Sequence, residues 1–440
     1  MSSLIISNFE AERFFVSERE SVLPSVSTIY SRNNICSLDE MQFVFANSDH
    51  SLATQLKIDD TFRDYIEEIG YSFDNVYAYD NLKHFNTRIS DNIFDTINSN
   101  DLLLYGIESV SENSFAIEEK TFVFAETNNL KLSAPDFNII RMANSKVFSS
   151  EVADSMIVQD RYIVNSSDEL SHYGEQTLLN NASLIIKSEF GVSGKGSVKI
   201  DTLKQLSFIV RFIKRQEEKG LVSTFIIERF LDKKSDFSAI AYITPDFKYQ
   251  VLSLQAMVNS GNSFNSIVPV DKNTRQLILD KGYMLYLENA LKCLTELGYF
   301  GSVCIDSMIL KDNKVIPVVE INARKSMSFI YYSLLNKYNS IEGLYCAVSL
   351  RKLLIPKGFS LSGFIEDLYK NKLLFLPQNK FGVLLLNPNG LIVNSMVDED
   401  PYYQANLYTA LLYRNNDERE KLESKLLQFF DRYKIKIREQ

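Results

Sequence analysis

Between residues 183 and 200 the chain reads SLIIKSEFGVSGKGSVKI, a glycine-rich stretch held between two short alternating apolar runs. No other feature narrows the possible folds as far. Alternation on both sides predicts strands, so the loop joins strand to strand. That excludes the two commonest phosphate loops, both of which open into a helix. The P-loop pattern G-x-x-x-x-G-K-S/T is absent, because Lys195 is followed by Gly196. The dinucleotide pattern G-x-G-x-x-G fails too: after Gly194 and Gly196 the third glycine position is Lys199. What is left is a strand–loop–strand flap. Its glycines keep Cβ atoms away from an approaching anion, Ser193 and Ser197 supply hydroxyls, and Lys187 and Lys195 supply charge. Taken alone, the stretch fits a flexible hairpin tip equally well.

A second constellation follows at 298–329, GYFGSVCIDSMILKDNKVIPVVEINARKSMSF. Two alternating runs flank a turn near Asp312-Asn313, which predicts an antiparallel hairpin. With the turn centred on Asn313, Asp306 lies opposite Glu320. Asn322 shares the face of Glu320 because strand side chains alternate. A slip of one residue would turn Asp306 away. Carboxylate and amide oxygens without His or Cys suit Mg²⁺, a hard cation completed by water and phosphate oxygens. Arg324 follows on the same parity and could grip a phosphate or carboxylate in bidentate fashion. An ordinary polar strand end is the competing reading.

The totals exclude other classes. A net charge of −9 and no long Lys/Arg stripe argue against nucleic acid or an anionic membrane as partner. The three histidines and four cysteines are scattered, with no C-x-x-C, which argues against zinc or a Cys-His nucleophile. The expected state of the cysteines is reduced and buried. Glu10 and Glu12 interrupt the N-terminal stretch too early for a signal peptide, and no apolar run is long enough for a membrane span. The expected location is the cytoplasm.

Along its 440 residues the chain divides into three expected units. Residues 1–138 mix strand-like pieces (MQFVFANS, DLLLYGIES, KTFVFAE) with a helix-like IDDTFRDYIEEIG, an α/β pattern closed by Pro135. Residues 139–355 carry the flap, the carboxylate hairpin, a helix NSKVFSSEVADSM and one long helix LILDKGYMLYLENALKCLTELG. Residues 356–440 hold an expected hairpin around Asn389-Gly390 and a charged final helix running into DRYKIKIREQ.

In order and spacing these elements resemble the ATP-grasp superfamily: an early lysine, a lysine before a glycine flap, an acidic hinge, then D…E-x-N on two strands. The resemblance covers about half the chain. It implies an α/β fold with α+β sheets, in which an N-terminal pre-ATP-grasp domain precedes a two-lobed ATP-grasp fold and a small C-terminal segment. It also implies an ATP site of Lys146, Lys187, Gly191, Ser193, Gly194, Lys195, Gly196, Glu228, Phe230, Leu231 and Asp236. Asp306, Glu320 and Asn322 would hold magnesium (two ions, with Mn²⁺ as a substitute), and Lys187 and Arg324 would serve catalysis. Cys304 stands where some relatives have an arginine, which leaves that task to Arg324. The KFGVLLLNPNGLIV segment is similar to the subgroup containing the pheganomycin peptide ligase and the butirosin carrier-protein ligase.

The implied chemistry is that of a ligase: ATP phosphorylates the carboxylate of an amino acid or small peptide, and an amine displaces phosphate from the acyl phosphate. A carrier-protein thiol is the alternative acceptor, and a role in specialised metabolism goes with that subgroup. A nucleotide-binding protein or phosphotransferase on the same fold is the alternative of another class. Substrates are expected to bind between the N-terminal unit and the core, near NSGNSFNS at 259–266.

Overall fold

The computed structural model describes residues 2–154, 161–180, 183–191, 196–260, 263–397 and 399–438, and the architecture below is that of these residues. The N-terminal unit is a parallel sheet of β1 (Ser2–Ile5), β2 (His50–Leu56), β3 (Asp74–Tyr79), β4 (Ile107–Val110) and β5 (Lys131–Leu132), in the order β3-β2-β1-β4-β5. Every residue of β2 is buried, as expected of a central parallel strand covered on both faces. The predicted helix is Asp60–Glu68; the Asp59 side chain caps it by accepting from the Phe62 N–H, and Phe62, Tyr65 and Ile66 point inward.

Three strand expectations in this unit are corrected. MQFVFANS lies mostly in a 3₁₀ turn, Asp39–Phe45, and KTFVFAE lies within a helix, Glu119–Thr127. DLLLYGIES splits into a helix, Ser99–Leu104, followed by β4. Short apolar runs do not discriminate between the two periods. Local capping does: the Thr121 hydroxyl accepts the Glu118 N–H at 3.0 Å and starts the Glu119 helix.

Next comes an antiparallel sheet of β6 (Arg161–Val164), β7 (Leu184–Ser188), β8 (Ser197–Ile200) and β9 (Phe225–Arg229), ordered β6-β9-β7-β8. Helices Ser167–Leu179 and Leu203–Glu217 close its back over a core that includes Leu170, Leu184, Ile186, Leu206 and Phe225. The glycine stretch therefore joins two strands paired antiparallel, as predicted, with residues 192–195 outside the described residues.

The rest forms one nine-stranded sheet: β10 (Lys233–Ile243), β11 (Tyr249–Ser260), β12 (Ser263–Pro269), β13 (Gly301–Leu310), β14 (Val315–Asn322), β15 (Tyr345–Pro356), β16 (Gly382–Leu385), β17 (Tyr402–Tyr413) and β18 (Lys436–Ile437). Its order is β14-β13-β10-β11-β12-β15-β17-β16, with β18 on β15. The β15 strand crosses residue 355 and pairs with β17 along its length, so the C-terminal strands continue the sheet that carries Asp306.

Three further expectations change here. The single long helix is two, Lys272–Asp280 and Tyr283–Leu297, separated at Gly282 with φ +71°. No hairpin forms at Asn389-Gly390; Pro388–Leu391 is a 3₁₀ turn and β16 pairs with β17 instead. Gly390 packs so closely that a Cβ there would come 2.3 Å from the Asn406 carbonyl oxygen. The last helix stops at Arg432, and the following residues return as β18. All four cysteines are free, three of them buried. Among the described residues no helix is long and apolar enough to cross a membrane.

Candidate active site

The β13–β14 hairpin has the register its alternation predicts. Asp306 pairs with Glu320 and Cys304 with Asn322. The turn is fixed by Asn313 at φ +65° and by the Asp312 carboxylate, which accepts the Lys314 N–H at 3.0 Å. Asn322 Nδ2 donates to Asp306 Oδ2 at 3.1 Å, and Arg324 donates to Asn322 Oδ1 at 3.1 Å. Burial, with the Glu320 charge second, pushes the Asp306 carboxyl up to about 7. Cys304, 1% exposed, sits beneath with Sγ 3.6 Å from Asp306 Oδ1.

Lys146 reaches this pair from below the glycine turn. It is the first residue of helix Lys146–Asp154, whose start is fixed by Ser145 Oγ accepting the Val147 N–H at 3.1 Å. Lys146 Nζ is 2.7 Å from Glu320 Oε1 and donates to the Gly191 carbonyl at 3.0 Å. The helix is tied to β14 by Ser149 Oγ, which accepts the Ile321 N–H at 3.0 Å. Gly191 and Gly196 face each other backbone to backbone; a Cβ on either would come 2.6 Å from the other's Cα. Ser193, Gly194 and Lys195 lie outside the described residues.

Lys187 is brought to a different acid, Glu228, at 2.7 Å, and Arg161 approaches the other oxygen of that carboxylate at 2.8 Å. Burial penalises the Glu228 charge, but the two cations outweigh it and hold the carboxyl below its ordinary range. Glu228 ends the four-stranded sheet, and Phe230 and Leu231 form the short link to β10. Asp236 accepts from Lys233 at 2.6 Å and Asn259 at 2.7 Å. A cleft of about 280 Å³ is lined by Lys187, Glu228, Phe230, Leu231, Asp236, Asp306 and Glu320. The structure thus joins the lysine of the flap strand, the hinge and the carboxylate pair around one space.

A second cavity, about 380 Å³, shares Asp306, Glu320, Met257 and Phe264 with the first and also touches Gly191, Asn322 and Arg324. Phe9, Glu10, Ser31 and Phe115 of the N-terminal unit face it across Met257, Phe264 and Ile267 of the sheet. Arg324 is held on its wall by an ion pair with Glu12 of the N-terminal unit. Burial lowers the Arg324 guanidinium to about 10, so it stays a cation at neutral pH.

Among the described residues no three His, Cys, Asp or Glu side chains form a metal cage. The hairpin instead offers two carboxylates and an amide. Their oxygens are of the kind that suits Mg²⁺; here Asn322 Oδ1 accepts from Arg324, its Nδ2 faces Asp306, and Glu320 meets Lys146.

Sequence reasoning missed Arg161, Glu12 and Ser145. Arg161 and Glu12 act through partners far away in the chain, Glu228 and Arg324, so no local pattern marks them; Ser145 caps Val147 two residues on, a local signal that went unread.

No family model matches the chain. The butirosin acyl-carrier protein–L-glutamate ligase of Niallia circulans is 23% identical over 202 residues, which is 44% of this chain and 46% of that protein. The match therefore spans about half of that relative. Among solved structures, the biotin carboxylase domain of the Hydrogenobacter thermophilus 2-oxoglutarate carboxylase, in complex with MgADP and bicarbonate, superposes with a TM-score of 0.54 at 12% identity, over 92% of this chain and 89% of that one. An ADP complex of N5-carboxyaminoimidazole ribonucleotide synthetase gives 0.53 at 14% identity, over 90% and 95%.

Proposed function

We propose that this chain, which has the ATP-grasp fold of those structures, is an ADP-forming ligase that activates a small carboxylate and joins it to an amine. One observation carries the reading: the Asp306–Glu320 pair, with Lys146 2.7 Å from Glu320, borders both the cleft and the larger cavity. A nucleotide in the 280 Å³ cleft and a carboxylate in the 380 Å³ cavity would meet at that pair.

In this reading Asp306, Glu320 and Asn322 hold Mg²⁺, which when bound supplies neutralisation of phosphate charge. Lys146 and Lys187 hold phosphate oxygens, with Lys187 oriented by Glu228. The backbone around Gly191 and Gly196 covers the phosphates and keeps water from an acyl phosphate. Phe230, Leu231 and Asp236 are assigned to the nucleoside. Arg324, fixed by Glu12, steadies the carboxylate and the charge on the moving phosphoryl group. Within Ser193–Lys195, the hydroxyl and ammonium are assigned to the γ-phosphate. The attacking amine donates its electron pair to the acyl carbon, the C–O bond to phosphate breaks, and the amine proton passes to the released phosphate or solvent.

A thiol acceptor is the second reading, supported by the carrier protein named in the relative from Niallia circulans. A cavity of about 380 Å³ admits a slender arm and not a folded carrier.

The test is incubation of the protein with ATP, Mg²⁺, a pool of amino acids and hydroxylamine. Carboxylate-dependent ADP with stoichiometric hydroxamate is the expected result. AMP would replace the mechanism with adenylation, and a stable phosphorylated product without hydroxamate would make the protein a phosphotransferase.

A further inference from the structure

The far wall of the larger cavity is built by the C-terminal strands. Along β15 and β17, Leu350 pairs with Tyr408, Lys352 with Asn406 and Leu354 with Gln404. Alternation turns the side chains of this set to one face, and Leu350, Lys352, Gln404, Asn406 and Tyr408 all line the cavity. Beyond β18, the Arg438 N–H donates to the Lys352 carbonyl at 2.9 Å, which sets the two residues side by side, and Arg438 lines the cavity as well. The Arg438 guanidinium donates to the Gln404 side-chain oxygen, a neutral acceptor. Among the described residues neither Lys352 nor Arg438 has a carboxylate partner.

The acids on the same cavity are otherwise engaged. Glu320 has Lys146 at 2.7 Å, Asp306 takes the Asn322 amide, and Glu10 has Arg13 at 3.7 Å. Two adjacent cations lining this cavity, both only partly exposed, attract an anion strongly because the surrounding protein screens them less than water would. Asn406 adds a buried carbonyl oxygen without a hydrogen-bond donor, suited to an N–H or O–H of the same molecule.

We propose that the molecule occupying this cavity carries an anionic group, a second carboxylate or a phosphate, at the end remote from the reacting carboxylate, and that Lys352 and Arg438 bind it. This rests on the ligase reading for which end reacts. The cation pair makes the protein select acids with two anionic ends over their neutral counterparts.

The experiment is calorimetric titration of the full chain, with MgADP present, using aspartate against asparagine, glutamate against glutamine, and phosphoserine against serine. At least one anionic member is expected to bind tenfold or more tightly than its neutral partner. Lys352→Met and Arg438→Met should each remove that preference, while Lys352→Arg keeps it and the MgADP affinity is unchanged in all three. Whether a carboxylate or a phosphate is meant is read from which pair discriminates. Equal binding within every pair, no binding by any of the three anions, or a preference that survives both Met substitutions overturns the proposal. The ligase reading is scored separately: ADP and hydroxamate formed from a neutral acid would uphold it while sinking this one.

Discussion

At the scale of single residues the site is a set of charges balanced against one another. Lys146 is the cation nearest the Asp306–Glu320 pair, and Lys187 is balanced by Glu228. Glu320→Gln is expected to lower kcat by roughly 10²–10³-fold, the usual scale for losing a charge-stabilising group. Its melting temperature should stay within a few degrees, because Glu320 is not fully buried and its carboxylate is partly solvated. Steady-state ADP release and thermal unfolding measured on one preparation check both parts; an unfolded variant would refute the assignment to chemistry. The acids were legible in the sequence because residue type and alternation together limit what a strand can present, whereas Lys146, which begins a helix, was marked only by the family resemblance. The orienting partners were not. Glu12 meets Arg324 across 312 positions, and nothing in EAERFF signals it.

Among elements, the two hairpins were legible and several apolar runs were not. VCIDSMIL and VIPVVEIN alternate around a turn that only a residue tolerant of positive φ can make, and Asn313 provides it. KTFVFAE has no such boundary, and capping by Thr121 decided it. The Asn389-Gly390 signal misled because Gly390 serves close packing against the Asn406 carbonyl and not a hairpin turn. The same kind of contact sets a prediction for the flap. Gly196→Val must push apart two backbone segments, at a cost of about 1–3 kcal/mol. The expected outcome is a raised KM for ATP and faster proteolytic cleavage near the β7–β8 turn, with the carboxylate KM unchanged. Unchanged cleavage and ATP kinetics would show that the glycine contact is dispensable.

For the whole molecule, three buried acids of the N-terminal unit are pushed up, one of them, Glu40, where that unit meets the C-terminal segment. Burial raises Asp39 to about 8, even though it accepts the Gln55 N–H, and raises Glu40, which accepts the Asn389 N–H at 3.0 Å. Burial likewise raises Glu118 to about 7. A folded carboxyl raised above its unfolded value binds a proton the unfolded chain has lost, so these groups make stability fall as pH rises from about 4 through 8. Urea midpoints are therefore expected to be higher at roughly pH 5.5, inside that window, than at roughly pH 8, its upper end. Asp39→Asn should narrow the gap by up to about 1.4 kcal/mol for each pH unit of the window it removes. A gap that Asp39→Asn leaves intact would mean that other groups set the slope.

The nine-stranded sheet has one more consequence. β13 and β15 are four steps apart in its order, on the order of 19 Å across if the sheet were flat. Yet Asp306 on β13 and Lys352 on β15 border the same cavity of about 380 Å³. Between them Met257 on β11 and Phe264 and Ile267 on β12 line the same cavity, so it runs across the intervening strands. A strand spacing set by backbone hydrogen bonds does not stretch to suit what lies across it. For the proposed molecule with two anionic ends, that spacing would act as a gauge of length: one that is too short would meet Lys352 or the Asp306–Glu320 pair, not both.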